Sequence, residues 1–581
     1  MPSGVACAVL TSHAMGRKKK QRKTGRFASA ASKAGSGSPS SRVPTWRAFW
    51  PWICLALILL FILAVRNRHL SEPLERDEGE FAYAGQLILE GIPPYQLAYN
   101  VKLPGIYAAY AVIMAVFGQT PFGIHSGLLF INLGATVLLF FLARRLFDAY
   151  AGVIASATYA GMSTSPAVLG LAAHATHFVI VAALAGFLLL LRGLESRRGL
   201  TLFWSGLWFG IAVLMKQHGV FFSIFAFGLL LHNEWSSTAA NSTGSSTGNL
   251  QGSGTDTTKS LPPRLGRLAL FSFGTIAPYA VTCLVLWHAG VFKNFWRWTV
   301  VYAGGHSLPY SFQGLARTFQ WNGPDNFFWL FGAVGFFVLC VDRSISRWIK
   351  GFVVGLLASS FVAITPGFYF FPHYFVLMLP AVSLLVGAGC TLAGHRLRQS
   401  GFGAFGALLP AAVFLVGFGW VLRSSRLDIV ESFVAFEAAP ALASYMSNHS
   451  ASSSRIAVFG SEPEIYFYAH RRAASGYIYT YDITSEAAHA GEMKQQMLRE
   501  VEAAQPEFVV DVHEQFSWSV SFSPEPQRIH HWLEQYLESG NYRPVAVAEN
   551  VKGHIVFHWD SDAAGYSPIS ESYVRVYQRN L

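Results

Sequence analysis

The 581-residue chain is 52% hydrophobic and only 13% charged, with 47 phenylalanines, whereas soluble domains carry about 25% charge. That balance excludes an ordinary soluble enzyme and marks a membrane protein. The net charge of +11 does not point to nucleic acid, because seven basic residues lie in one run, RKKKQRKTGR (17–26).

Residues 1–48 read as a disordered, basic cytoplasmic tail, since positive charge beside a first hydrophobic segment marks the inner side of a membrane. No apolar core precedes a small-residue cleavage site there, and Met15 is as reasonable a start as Met1. Cys7 lies in the tail; Cys54, Cys283, Cys340 and Cys390 are scattered through apolar segments. No disulfide framework or cysteine metal site is implied.

Crossing the hydrocarbon takes roughly 20 apolar residues. Such runs fall at 49–66, 121–143, 150–166, 172–192, 201–216, 218–232, 267–289, 325–342, 350–366, 371–393 and 402–422. The run 105–118 is too short and reads as an interfacial or re-entrant helix. With the N-terminus inside, the inner loops hold Arg144, Arg145, Arg192, Arg197, Arg198, Arg264, Arg267, Arg343, Arg347, Lys350, Arg396 and Arg398. The turns at 164–172 and 366–372 hold no Lys or Arg, which is the positive-inside pattern. Residues 67–120 then form a first outer loop, 236–260 a flexible cytoplasmic linker, and 423–581 an outer domain. In that last part RIAVFG, GYIYTY, EFVVDVH, HIVFHW and SYVRVYQ read as strands, and 492–505 and 528–540 as helices. The expected fold is a polytopic α-helical membrane protein of about eleven transmembrane helices (49–422) with a C-terminal soluble α/β domain.

Five stretches carry candidate chemistry. In RDEGEFAYAGQ (76–86), Asp77 suits a helix N-cap with Glu80 three residues on, and equally a catalytic base; the two roles are compatible. Lys102, in NVKLPG, either snorkels to headgroups or presents a point charge to phosphate. Lys216 and Gln217 interrupt a long apolar stretch, as a hairpin turn or as a functional charge at membrane depth. His373 and Tyr374, in FPHYF, can hydrogen-bond a sugar or a phosphate. His174 and His177 share a helix face, but no third ligand has matching spacing, so polar lining is the simpler reading and no metal site is assigned.

Taken in order, RDEGEFAYAGQLILEGIPPY (76–95), KLPGIY (102–107), MKQHG (215–219), FPHYF (371–375) and VFGSEPEIYFYAHRRAASGYIYTY (458–481) resemble the C-type (GT-C) glycosyltransferases. Within these the match is to the family-39 group, which includes protein O-mannosyltransferases and the lipid A aminoarabinose transferase. The resemblance covers most of residues 49–515. It implies inverting transfer of a sugar from a polyprenyl-phosphate donor to a lipid, glycan or protein acceptor on the outer face of a bacterial inner membrane. Asp77 would be the base, Lys102 and Lys216 would hold the donor phosphate, and Glu78, Tyr95, Gln217, His373 and Tyr374 would contact substrate. No cofactor is required, although a divalent metal is compatible; the partners are the donor, the acceptor and the bilayer, with no nucleic acid. One departure is plain: LAAHATHF (171–178) lacks the acidic residue that family members often carry there. Two other classes compete, a flippase of lipid-linked glycans and a membrane-anchored binding protein. The first expects paired internal repeats, which the sequence lacks; the second leaves the first outer loop without purpose.

Overall fold

The computed structural model describes residues 46–242, 263–303, 313, 315–316, 326–403, 405–424, 434–485, 489–518 and 525–580. The basic tail and most of the 236–260 linker lie outside these residues, apart from the linker's first part, which continues a helix to Ser242.

A helix stands at each of the eleven apolar runs. In chain order the helices are α1 (Trp46–Arg66), α2 (Arg76–Leu89), α3 (Gly105–Phe117), α4 (Pro121–Leu146), α5 (Ala149–Ser163), α6 (Ala175–Ser196), α7 (Gly199–Met215), α8 (Val220–Ser242) and α9 (Pro263–His288). After the short α10 (Phe292–Trp296) come α11 (Asn326–Val341), α12 (Arg347–Ala363), α13 (Leu379–Leu397) and α14 (Phe405–Ser424). Among the described residues five helical stretches are long and apolar enough to cross a membrane: 49–66, 121–146, 175–196, 264–288 and 372–402. The chain is thus a multi-pass membrane protein, mostly helical.

Local chemistry sets the helix ends. Thr120 caps α4 by accepting from the Gly123 N–H, with Pro121 in the first turn, and Asp148 caps α5 by accepting from the Ala151 N–H. Small residues set the packing, as in membranes, where backbones approach closely through glycine. A Cβ on Gly206 would lie 2.1 Å from Phe271 O, and one on Gly210 2.3 Å from Thr275 O. This G-x-x-x-G face of α7 therefore rests directly on α9. The far side of α9 exposes Phe273, Ile276, Val281 and Leu284, as a lipid-facing surface would.

The C-terminal domain begins with α15 (Val434–Asn448) and is built on a six-stranded sheet of order β2-β1-β3-β6-β4-β5. Its strands are β1 (Arg455–Phe459), β2 (Arg472–Ala473), β3 (Phe508–His513), β4 (Tyr542–Val551), β5 (His554–Trp559) and β6 (Tyr573–Arg579). β1 runs parallel to β2 and β3, and β6 is antiparallel to both β3 and β4. Around the sheet lie α16 (Glu464–Ala469), α17 (Ala490–Ala504), α18 (Gln515–Trp518) and α19 (Glu525–Ser539).

Two strand expectations change. GYIYTY (476–481) is not a strand: Gly476 packs on Tyr99, where a Cβ would sit 2.4 Å from the ring, and its carbonyl accepts from the Tyr99 N–H at 2.7 Å. The backbone there is committed to the first outer loop instead of to a sheet. Conversely β4 is a strand that the sequence conceals. Pro544 breaks its pattern, since proline is tolerated in sheets only at edges and bulges, and the β4–β6 register does shift between Pro544 and Ala546.

Candidate active site

The site forms at the N-terminal end of α2. Here the expected cap moves: Glu75, not Asp77, is the N-cap, and it forms a capping box with Glu78 in which each side chain accepts from the other's backbone N–H at 3.2 Å. The longer carboxylates satisfy the first-turn N–H groups. Asp77 is left at the second helical position with its carboxylate free for other partners.

Those partners come from four separate segments. Lys102 Nζ lies 2.7 Å from Asp77 Oδ1 and 2.5 Å from Glu80 Oε2. On the other side of the carboxylate, Asp77 Oδ2 is 3.6 Å from His174 Nδ1 and 3.9 Å from His373 Nε2. The two imidazoles stack, with ring centres 4.0 Å apart and planes inclined by 12°. Lys216 Nζ stands 3.5 Å from His373 Nε2 and over the Tyr374 ring at 4.1 Å. Four of the elements that the sequence assigned to one side of the membrane therefore converge on a single carboxylate.

The electrostatics are divided. Burial pushes the Asp77 pKa up, but Lys102 first, then His174 and His373, outweigh it and hold the carboxyl well below the usual range. For Glu80 burial wins over Lys102, and its pKa is raised; it accepts from the Tyr107 hydroxyl at 2.6 Å. Burial opposes the charge on Lys102, yet Asp77 and Glu80 together raise its pKa. Lys216 has no carboxylate within ion-pair distance among the described residues.

The C-terminal domain clamps α2 along its length. Arg76 pairs with Glu462 at 2.9 Å and also bonds the Tyr481 hydroxyl. Tyr479 OH lies 3.1 Å from Arg76 O and 3.2 Å from Asp77 Oδ1, so this domain reaches the central carboxylate itself. Further along, the Ala473 N–H donates to Tyr83 OH at 2.8 Å, and Gln86 bonds His470 at 2.8 Å. The backbones meet at Gly79, where a Cβ would lie 2.5 Å from Glu464 Cβ. Glu464 is buried with both carboxyl oxygens unpartnered; burial, and then Glu462, push its pKa well up.

Not every residue expected to touch substrate faces this site. Glu78 is 2% exposed and fully engaged, accepting from the Ala173 N–H at 2.5 Å and pairing with His125 at 3.0 Å. It ties α2 to α4 and to the loop before α6. Tyr95 is buried, and its hydroxyl donates to Lys102 O at 2.7 Å. Gln217 donates to Val101 O at 2.7 Å. These three hold the lysine loop and the helix in place instead of lining the cleft. His373 and Tyr374 do reach the site. Tyr479 was not singled out from the sequence, because its segment read as a strand.

Asp77, His174 and His373 offer an oxygen and two nitrogens close enough to share a divalent cation, and both His174 ring nitrogens are buried without a hydrogen-bond partner. The same space lies within reach of Lys102 and Lys216, whose positive charges oppose a further cation.

The chain forms an open apolar cavity of about 990 Å³ between α3, α6, α7 and α9. Its walls include Ile92, Pro104, Ala108, Phe178, Trp208, Met215 and Leu286; among the described lining residues only Gln96 and Thr282 carry polar side chains. Pro104 lies two residues from Lys102, and Met215 directly precedes Lys216, so the segments that carry both lysines also contribute to this apolar wall.

Residues 102–247 match the model of a family described as dolichyl-phosphate-mannose-protein mannosyltransferase. The match begins at Lys102 and takes in His174, Lys216 and Gln217. Among solved structures, ArnT from Cupriavidus metallidurans in the apo state aligns with a TM-score of 0.51 at 14% identity, over 88% of this chain and 98% of that one. The same protein bound to undecaprenyl phosphate aligns with a TM-score of 0.50 at 15% identity, over 80% and 93%. The oligosaccharyltransferase AglB from Archaeoglobus fulgidus, with an inhibitory peptide and a dolichol-phosphate, gives 0.49 at 13% identity, over 89% and 75%. No curated protein matches the chain.

Proposed function

We propose that the chain is a GT-C-type glycosyltransferase, a reading supported by a family match over a quarter of the chain and by a shared fold over most of it. From that premise we propose that the protein moves a sugar from a polyprenyl-phosphate-linked donor to a lipid, glycan or protein acceptor at the outer membrane surface, with inversion, using Asp77 as base. One observation carries the reading: Asp77, two lysines and two histidines from separate segments meet in one cluster, and the segments bearing the lysines also line an apolar cavity. That is what a donor with an isoprenoid tail, a phosphate and a sugar requires. The family description and the undecaprenyl phosphate bound to ArnT support the same donor class.

The acceptor oxygen attacks the anomeric carbon on the face opposite the phosphate, and Asp77 takes its proton. The bond from that carbon to the phosphate oxygen breaks, and its electron pair leaves with the lipid phosphate. A phosphate departs as a stable anion, so no second carboxyl acting as acid is needed, in contrast to glycoside hydrolysis. Cations placed where the negative charge grows serve instead, here Lys102 and Lys216. Lys102 also governs the base. While it pairs with Asp77 the carboxylate is too well stabilised to accept a proton readily. A donor phosphate that draws the ammonium away makes Asp77 more basic at the moment it is needed.

The test is transfer of radiolabelled sugar from a polyprenyl-phosphate donor in membranes carrying wild type or Asp77→Asn. Loss of transfer by a folded variant supports the base; full transfer by that variant sinks it. A chelator added to the wild type and to His513→Ala/His530→Ala decides whether lysines suffice: unchanged transfer favours them, and a loss restored by a divalent ion in both proteins assigns Asp77, His174 and His373 to a metal.

A further inference from the structure

A second constellation of the same composition lies in the C-terminal domain, outside the residues assigned to the transfer step. Asp511 and His513 point to one face of β3, two residues apart as strand periodicity requires. His530 reaches them from α19. His513 Nε2 is 2.7 Å from Asp511 Oδ2, and His530 Nδ1 is 3.2 Å from Asp511 Oδ1. One ligand atom from each of the three lies within 4.8 Å of the others. Around a tetrahedral zinc the ligand atoms sit about 3.3 Å apart, given metal–ligand bonds of about 2.0–2.2 Å. Closing the widest pair by at most about 1.5 Å would bring the three onto one ion.

Three features separate this cluster from an ordinary buried hydrogen-bonded group. Asp511 is 6% exposed, and its Oδ1 is buried without a hydrogen bond of good geometry; a buried carboxylate calls for a cation or a full set of donors. Its neighbour across the β3–β6 pair, Arg575, does not supply the charge, because that guanidinium donates to the Tyr566 carbonyl at 3.1 Å. Finally, the imidazoles are fixed by ring contacts: Tyr573 stacks on His513 at 4.2 Å and Trp518 lies against His530 at 4.5 Å. At the membrane site lysines compete for the space a cation would take. No lysine pairs with Asp511 among the described residues.

We propose that Asp511, His513 and His530 bind a zinc-class divalent cation, with the half-exposed side of the two histidines leaving a fourth position for water. Two imidazoles and one carboxylate are the donor set that zinc accepts in three-ligand sites. The ion would join the end of β3 to α19 and so bracket the segment that carries α18. Within that segment the Ser517 hydroxyl accepts from the Ser461 N–H at 2.9 Å and donates to Glu462 Oε2 at 2.7 Å, while Glu462 Oε1 holds Arg76. The metal therefore secures the far end of the clamp that positions α2.

The experiment uses the full-length protein in detergent, stripped with a chelator and titrated with zinc, next to His513→Ala/His530→Ala and, separately, His174→Ala. Wild type and His174→Ala should retain one zinc equivalent through gel filtration, and zinc should raise their unfolding temperature. In the double variant binding should weaken by more than about 100-fold, the upper end of the loss seen when only an outer-shell partner is removed, and the thermal shift should vanish. Equal melting of wild type and double variant in chelator shows that the variant folds; if it does not fold, Asp511→Asn takes its place. Zinc uptake undiminished in the ligand variants, or lost with His174→Ala alone, or absent from wild type, overturns the proposal.

Discussion

The loop after α2 and the turn after α7 both bring a lysine to the Asp77 cluster, yet the two amines are held in opposite ways. Lys102 lies between two carboxylates, its backbone fixed by Tyr95 and its ammonium over the Phe81 ring at 4.7 Å. Lys216 faces an imidazole and a tyrosine ring, with no carboxylate within ion-pair distance among the described residues. The first is a neutralised cation that keeps α2 in place; the second is a buried amine whose charge no carboxylate within ion-pair distance supports among the described residues, and an incoming anion would favour that charge. The difference teaches that a site for a charged lipid can divide its labour, one lysine maintaining the fold and the other waiting for the ligand.

Variants can break this contrast. Asp77→Asn should have the largest effect on catalysis, about 10²–10⁴-fold in transfer rate, the usual worth of a positioned base. In Lys102→Met the buried Glu80 loses its only ion-pair partner among the described residues, and removing one member of a buried pair costs about 3–5 kcal/mol. Thermal unfolding should therefore fall sharply, together with activity. Lys216→Met should do the reverse, leaving the unfolding temperature unchanged or raised, while the donor concentration needed for half-maximal transfer rises by about tenfold, as for loss of one charged hydrogen bond. A Lys216→Met variant as unstable as Lys102→Met would erase the distinction. Tyr479→Phe removes one hydroxyl beside Asp77 and should cost about 0.5–1.5 kcal/mol, read as a small drop in unfolding temperature with transfer slowed only several-fold.

The smallest effect is a flat line. The folded-state pKa of Asp77 is depressed, so its stabilisation is present above the unfolded value and lost as pH falls through the folded one. That of Lys102 is raised, so its contribution is present below the unfolded value and lost as pH rises through the folded one. With unfolded values near about 3.9 and 10.4, the Asp77–Lys102 pair itself should contribute a constant stability from about pH 5 to 9, so any slope there in the difference in unfolding temperature between wild type and Asp77→Asn reports the imidazoles of His174 and His373 beside the carboxylate. A slope that persists when both histidines are replaced would mean that the pair is not the one described.

Periodicity and composition made the helical part legible, because an apolar run near the length of a membrane crossing has few alternatives. They failed where contacts are distant in sequence. His174 was compared with His177, its neighbour on one helix face, whereas its stacking partner is His373, brought in by a different helix pair. The first-turn reading missed Glu75 because Asp is the commoner cap; only the coordinates show the longer carboxylate reaching the Glu78 N–H. Tyr477, Tyr479 and Tyr481 alternate like a strand, but their hydroxyls are spent on α17 and α2. Asp77, Lys102, Lys216 and His373 were legible because charge at membrane depth has few bland explanations.

The closeness of α2 to α16 at Gly79 has a consequence for how the protein is made. A ribosome delivers Asp77 early and Tyr479 roughly four hundred residues later. Until that last quarter of the chain has been synthesised, Arg76 lacks Glu462 and the Asp77 carboxylate lacks the Tyr479 hydroxyl. A nascent chain can thus bring Asp77, Lys102, Lys216 and the two histidines together while the start of α2 is still unclamped, and completion of translation becomes the event that locks it.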